Sequence, residues 1–78
     1  MYKILIVEDD ETIAGGLKNH LEKWNYQAEC MTDFKDVMGK FVDFEPQLVL
    51  LDIVLPFFNG FHWCQEIRKI SKVPIIFL

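Results

Sequence analysis

Two short apolar runs constrain this chain more than anything else in it. Lys3–Val7 reads KILIV and Gln47–Leu51 reads QLVLL, and after the first residue of each there is no polar break. A strand with one wet face alternates apolar and polar residues. A run that is apolar throughout belongs to a strand covered on both faces. Each run ends on acid: Glu8 and Asp9 follow the first, and Asp52 follows the second.

The segments between these runs have helical periodicity. Asp9 or Asp10 is placed to cap a helix over about Glu11–Trp24, with Ile13, Leu17 and Leu21 four apart on one face. Tyr26–Cys30 reads as a second strand. Asp33 and Asp36 resemble a capping box for a helix carrying Phe34, Val37, Met38, Phe41 and Val42, which ends before Pro46. Pro56, Asn59 and Gly60 mark a loop after Asp52. A third helix follows over about Gly60–Ile70, with Phe61, Cys64, Ile67 and Ile70 near one face. Val73–Leu78 (VPIIFL) is a fourth strand. The order βαβαβαβ predicts an α/β fold: a doubly wound parallel sheet with helices on both faces and right-handed crossovers.

Composition narrows the function classes. The chain has 78 residues, suited to one small domain, and is 51% hydrophobic, too apolar for a disordered tail. Its formal net charge of −4 gives it no general attraction to nucleic acid or an anionic membrane. Charges as early as Lys3, Glu8 and Asp9 disfavour a signal peptide, and no apolar run approaches membrane-spanning length. The expected compartment is the cytoplasm. Cys30 and Cys64 lack metal-ligand spacing and read as small buried hydrophobes in a reducing environment.

The three acids carry the chemistry. In a doubly wound sheet the functional crevice lies beyond the carboxyl ends of the strands, where the chain order reverses. If the first and third strands are neighbours, Glu8, Asp9 and Asp52 meet there. Packed carboxylates repel, and a hard divalent cation such as Mg²⁺ offsets the charge while leaving positions for water and phosphate. A carboxylate in such a site can itself attack phosphorus. Asp10 taken alone reads as a helix cap.

These residues resemble a known family. KILIVEDDE followed by LVLLDIVLPFFNGF is similar to the receiver domain of two-component response regulators: an acidic pair after strand one, Asp52 after strand three, Pro56 four beyond it and Gly60 eight beyond it. The resemblance implies a flavodoxin-like, CheY-like fold. It implies that Asp52 accepts a phosphoryl group from a sensor histidine kinase, and that Mg²⁺ is held by Asp9, by Glu8 through water, by Asp52 and by the backbone carbonyl of Val54. Pro56 and Gly60 would shape the loop that aims this carbonyl, and Asn59 stands where many members have Asp. Phe57, Phe58, Phe61, Trp63 and Cys64 extend the likeness to OmpR/PhoB-type regulators that sense cell-envelope stress such as bacitracin and antimicrobial peptides. Those carry a winged-helix DNA-binding domain after the receiver.

The same resemblance sets expectations about extent. Residues 1–78 correspond to the N-terminal part of a single receiver, without an output domain. A fifth strand, two further helices, a hydroxyl residue after strand four and a Lys after strand five are expected of a complete one. Strand four is then an apolar edge, through Ile75, Ile76, Phe77 and Leu78, and the 78-residue chain is expected to self-associate there or exchange elements with a second copy. His20 and His62 read as surface residues, and Trp24 as packed on the sheet edge.

Two rival functions are open at this point. A haloacid-dehalogenase-type enzyme also places a nucleophilic Asp after strand one, but it needs a second Asp two residues on, where this chain has Glu11. An interaction module that never takes phosphate gives no reason for three acids at two strand ends. A nucleotide-binding reading fails for want of a Gly-rich loop after the first strand.

Overall fold

The computed structural model describes all residues, Met1–Leu78. The elements run β1 (Lys3–Val7), α1 (Glu11–Lys23), β2 (Gln27–Cys30), α2 (Val37–Phe44), β3 (Leu48–Leu51), α3 (Gly60–Arg68) and β4 (Ile75–Phe77). The four strands form one parallel sheet in the order β2-β1-β3-β4. β1 and β3 are therefore the central pair, as the two apolar runs require.

The pleat explains why neither run alternates in polarity. Leu5, Val7, Val49 and Leu51 point to one face and pack with Val37, Phe41 and Phe44 of α2 and with Trp63 and Ile67 of α3. Ile4, Ile6, Ala28 and Leu50 point to the other and pack on Ala14, Leu17 and Leu21 of α1. Every residue of β1 after Lys3 is buried because the sheet is covered on both sides.

Several local expectations are corrected. Ile13 is 51% exposed, and Ala14 takes the sheet-facing place in its turn. Spacings of three and four, through Ala14, Leu17 and Leu21, track a 3.6-residue face better than repeated steps of four. A small Ala also lets α1 approach β2, where Cys30 Sγ donates to the Ala14 carbonyl at 3.6 Å. Trp24 is the C-cap of α1 and 68% exposed, not packed on the sheet edge. The α2 cap is Asp36, whose carboxylate accepts the Gly39 N–H at 3.0 Å. Asp33 instead folds back on Lys35 N–H at 3.0 Å, a local turn, so there is no capping box. α3 ends at Arg68, leaving Ile70 outside the helix and 61% exposed, and Phe61 is 53% exposed at its start. Val42 is likewise exposed on α2. Both cysteines are free and half-buried, and burial pushes the Cys30 thiol pKa up. His20 is exposed, whereas His62 is half-buried, stacked on Phe58 with centroids 4.4 Å apart.

Candidate functional site

The register of the central strands builds the site. Val7 pairs with Leu51, and the Asp52 N–H donates to the Val7 carbonyl at 2.9 Å. The next residues of both strands, Glu8 and Asp52, therefore emerge side by side at the carboxyl edge. Oxygens of Glu8, Asp9 and Asp52 all lie within 4.8 Å of one another. The three acids expected to converge do so.

Their environments differ. Glu8 is only 8% exposed, Asp9 is exposed and Asp52 is half-buried. The Glu8 carboxylate accepts the Asp10 N–H at 3.1 Å, and Asp52 Oδ1 accepts the Ile53 N–H at 2.8 Å. Burial pushes the Glu8 pKa up; the Asp10 N–H pulls it back in part, and the Asp52 charge pushes it up again. Asp10 is not in the cluster. Its carboxylate turns to α1 and accepts the N–H groups of Thr12 at 2.9 Å and Ile13 at 3.1 Å, as the N-cap.

The loop after Asp52 closes on itself. Gly60 N–H donates to the Ile53 carbonyl at 2.8 Å, and Asn59 caps α3 by accepting the His62 N–H at 3.0 Å. Val54 lies within this loop and is 79% exposed. Gly60 is buried beneath it, and a Cβ there would collide with the Asp52 carbonyl oxygen. On the other side of the cluster, a cleft of about 280 Å³ opens between the end of β1 and the segment after β2, with Glu8, Asp9, Thr32 and Phe34 among its walls.

The arrangement suits a hard divalent cation. The donors are all carboxylate oxygens and they are close enough to share one ion; burial first, and the neighbouring Asp52 charge after it, push the Glu8 pKa up. Two features escaped the sequence reading. One is the burial of Glu8, since an acid beyond a strand end normally reaches water. The other is a contact between Lys35 and Phe57, which sequence distance conceals.

The response regulator receiver domain model matches residues 4–78, and the chain belongs to that family. It is a receiver domain of a two-component response regulator, a signalling domain with the flavodoxin-like fold. It is 53% identical over 78 residues to the uncharacterized transcriptional regulatory protein YvcP of Bacillus subtilis, covering all of this chain and 33% of that one. The chain thus spans about a third of the length of the curated relatives it matches. Among solved structures, the N-terminal domain of the nisin resistance regulator NsrR, a lantibiotic response regulator, superposes with a TM-score of 0.91 at 48% identity, over 99% of this chain and 65% of that one. TrrA of Thermotoga maritima, solved with Mg²⁺–BeF, superposes with a TM-score of 0.85 at 31% identity, over 99% and 66% of the two chains. TrrA has also been solved in complex with the histidine kinase ThkA; there it gives 0.87 at 33% identity, over 99% and 67%. No helix is long and apolar enough to cross a membrane.

Proposed function

We propose that Asp52 accepts a phosphoryl group from a sensor histidine kinase, and that Glu8, Asp9, Asp52 and the backbone carbonyl of Val54 hold Mg²⁺ for that reaction. The observation that carries this reading is the convergence of three carboxylates within 4.8 Å at the ends of two hydrogen-bonded central strands. The structures of TrrA with Mg²⁺–BeF and with its kinase support the same assignment of metal and partner.

When bound, Mg²⁺ neutralises charge on the transferring phosphoryl oxygens. The chain's own part is positioning. Asp52 Oδ1 is engaged by the Ile53 N–H, which fixes the carboxylate plane and leaves Oδ2 to attack. The Oδ2–P bond forms as the P–N bond of the donor phosphohistidine breaks, and that electron pair stays on the imidazole nitrogen. The domain in this way assists its own phosphorylation. Glu8, held by the Asp10 N–H, has its carboxyl group fixed beside the other two acids.

In the full-length protein this chain is the N-terminal part of one receiver domain, working in the cytoplasm, and phosphorylation controls a winged-helix DNA-binding domain. The name of YvcP as a transcriptional regulatory protein supports that output, and the likeness to NsrR supports a response to peptide antibiotics. The isolated 78-residue chain associates with a second copy through β4, an edge strand whose Ile76 and Phe77 are exposed.

The test is incubation of the full-length protein with acetyl phosphate and Mg²⁺, read by intact mass. The expected result is a single phosphoryl adduct, stable in acid and labile in alkali, that Asp52→Asn abolishes. An adduct of equal yield in Asp52→Asn overturns the assignment.

A further inference from the structure

Phe57 adopts φ of 69°, the left-handed region that an aromatic residue rarely enters. The Phe58 N–H donates to the Pro56 carbonyl at 2.8 Å across it, closing a γ-turn of the strained hand. Such a conformation persists only where its surroundings hold it. Core packing does not do so, because the Phe57 side belongs to neither hydrophobic cluster and the residue is 66% exposed. Its ring does meet Lys35, whose Nζ lies 4.8 Å from the centroid. The Lys35 backbone is anchored in a local turn, its main-chain N–H donating to Asp33 Oδ1 at 3.0 Å.

The contact spans the site. Lys35 lies between β2 and α2, and Phe57 between β3 and α3. β2 and β3 flank β1, and α2 and α3 cover the same face of the sheet. The ammonium and the ring therefore join the loops on either side of the strand that delivers Glu8 and Asp9. The loop after Asp52 is tied at its base by the Gly60–Ile53 hydrogen bond and near its tip by Lys35, with Val54 between the two ties.

We propose that Lys35 and Phe57 are positioning residues: their contact is a latch that holds the 53–59 loop in the shape that presents the Val54 carbonyl to a divalent cation at the acidic cluster. The inference rests on the Mg²⁺ reading above and adds two residues to it that touch neither metal nor phosphate.

The sign of the Lys35 effect separates a latch from a bare charge. Removing a positive charge from the protein can only favour a bound cation if charge alone matters, whereas loss of a latch weakens Mg²⁺ binding. The experiment is Mg²⁺ titration calorimetry on the full-length protein at fixed ionic strength. Lys35→Met and Phe57→Leu are each expected to raise the Mg²⁺ Kd about two- to fivefold, the range of an exposed cation–π contact. The double variant is expected to be no weaker than either single one, and Lys35→Arg and Phe57→Tyr to stay at the wild-type value. In metal-free protein, NMR should find the Lys35 ε-methylene protons shifted upfield by the ring, and back at ordinary positions in Phe57→Leu. Tighter binding in Lys35→Met with no change in Phe57→Leu overturns the latch, as does an unshifted Lys35 resonance in the wild type. Wild-type protein that binds Mg²⁺ no better than Asp9→Asn overturns the metal reading as well. Normal wild-type binding with unchanged latch variants overturns the latch alone.

Discussion

Helix α3 begins against the backbone of Asp52 because Gly60 has no side chain. A Cβ at Gly60 would strike the Asp52 carbonyl oxygen and lie 3.0 Å from the Ile53 Cα. These are backbone atoms held in the β3 exit, so neither can swing aside. Gly60→Ala is expected to destabilise by about 1–3 kcal/mol through overpacking. At this size that lowers Tm by roughly 4–8 °C per kcal/mol. Gly16→Ala supplies the contrast, since nothing lies within 4 Å of a Cβ there and the residue is interior to α1. It is expected to raise stability by about 0.5–1 kcal/mol. Thermal unfolding of both variants checks the pair.

Glu8 makes folding pH-dependent in a definite direction. Its folded pKa is raised above the ordinary 4.5, through burial first and the Asp52 charge next. Between the unfolded and folded values the folded state binds more protons, so stability falls as pH rises through that window, and the full penalty is present above it. Glu8→Gln removes this dependence. In metal-free buffer it is expected to be more stable than the wild type at neutral pH, with the advantage shrinking as pH falls toward 4.5. Urea unfolding at several pH values checks it; an advantage independent of pH counts against the stated cause.

A cation shared by the three acids stabilises the folded state by mass action. At Mg²⁺ a hundred times above Kd the gain is about 2.7 kcal/mol. It is expected to appear as a rise in Tm at constant ionic strength, to fall sharply in Asp9→Asn, and to be absent with a monovalent salt. Scanning fluorimetry over a Mg²⁺ series measures it.

The exposed edge of β4 carries Ile76 at 52% and Phe77 at 38% exposure, with Phe61 packed on Phe77 at 5.3 Å between centroids. Unpaired strand groups beside apolar side chains invite pairing with another chain. The 78-residue chain expressed alone is expected to associate with increasing concentration in light scattering, and Ile76→Lys to reduce that association. A monodisperse monomer at all concentrations contradicts it.

What the sequence revealed and concealed follows from locality. KILIV and QLVLL announce strands covered on both faces because burial on two sides leaves its mark in every residue. Glu8, Asp9 and Asp52 were legible because strand ends of a parallel sheet share one edge. Ile13 misled because steps of four assigned it a face that Ala14 takes, and Trp24 because a large aromatic at a helix end was expected to pack on the sheet edge, where it is 68% exposed. Asp33 and Asp36 both suit a cap, and the choice depends on where the chain turns after β2. The Lys35–Phe57 contact left no trace at all: it joins residues on two different loops, and no periodicity marks a positive φ at an aromatic residue.

Chemical mapping of the phosphoryl site tests the central claim most directly. Borohydride reduces an aspartyl phosphate to homoserine, so the protein is phosphorylated with acetyl phosphate and Mg²⁺, reduced, digested and sequenced. Homoserine at position 52, dependent on Mg²⁺ and lost in Asp9→Asn, is the predicted result. Homoserine at position 9, or an intact Asp52 in fully phosphorylated protein, contradicts it.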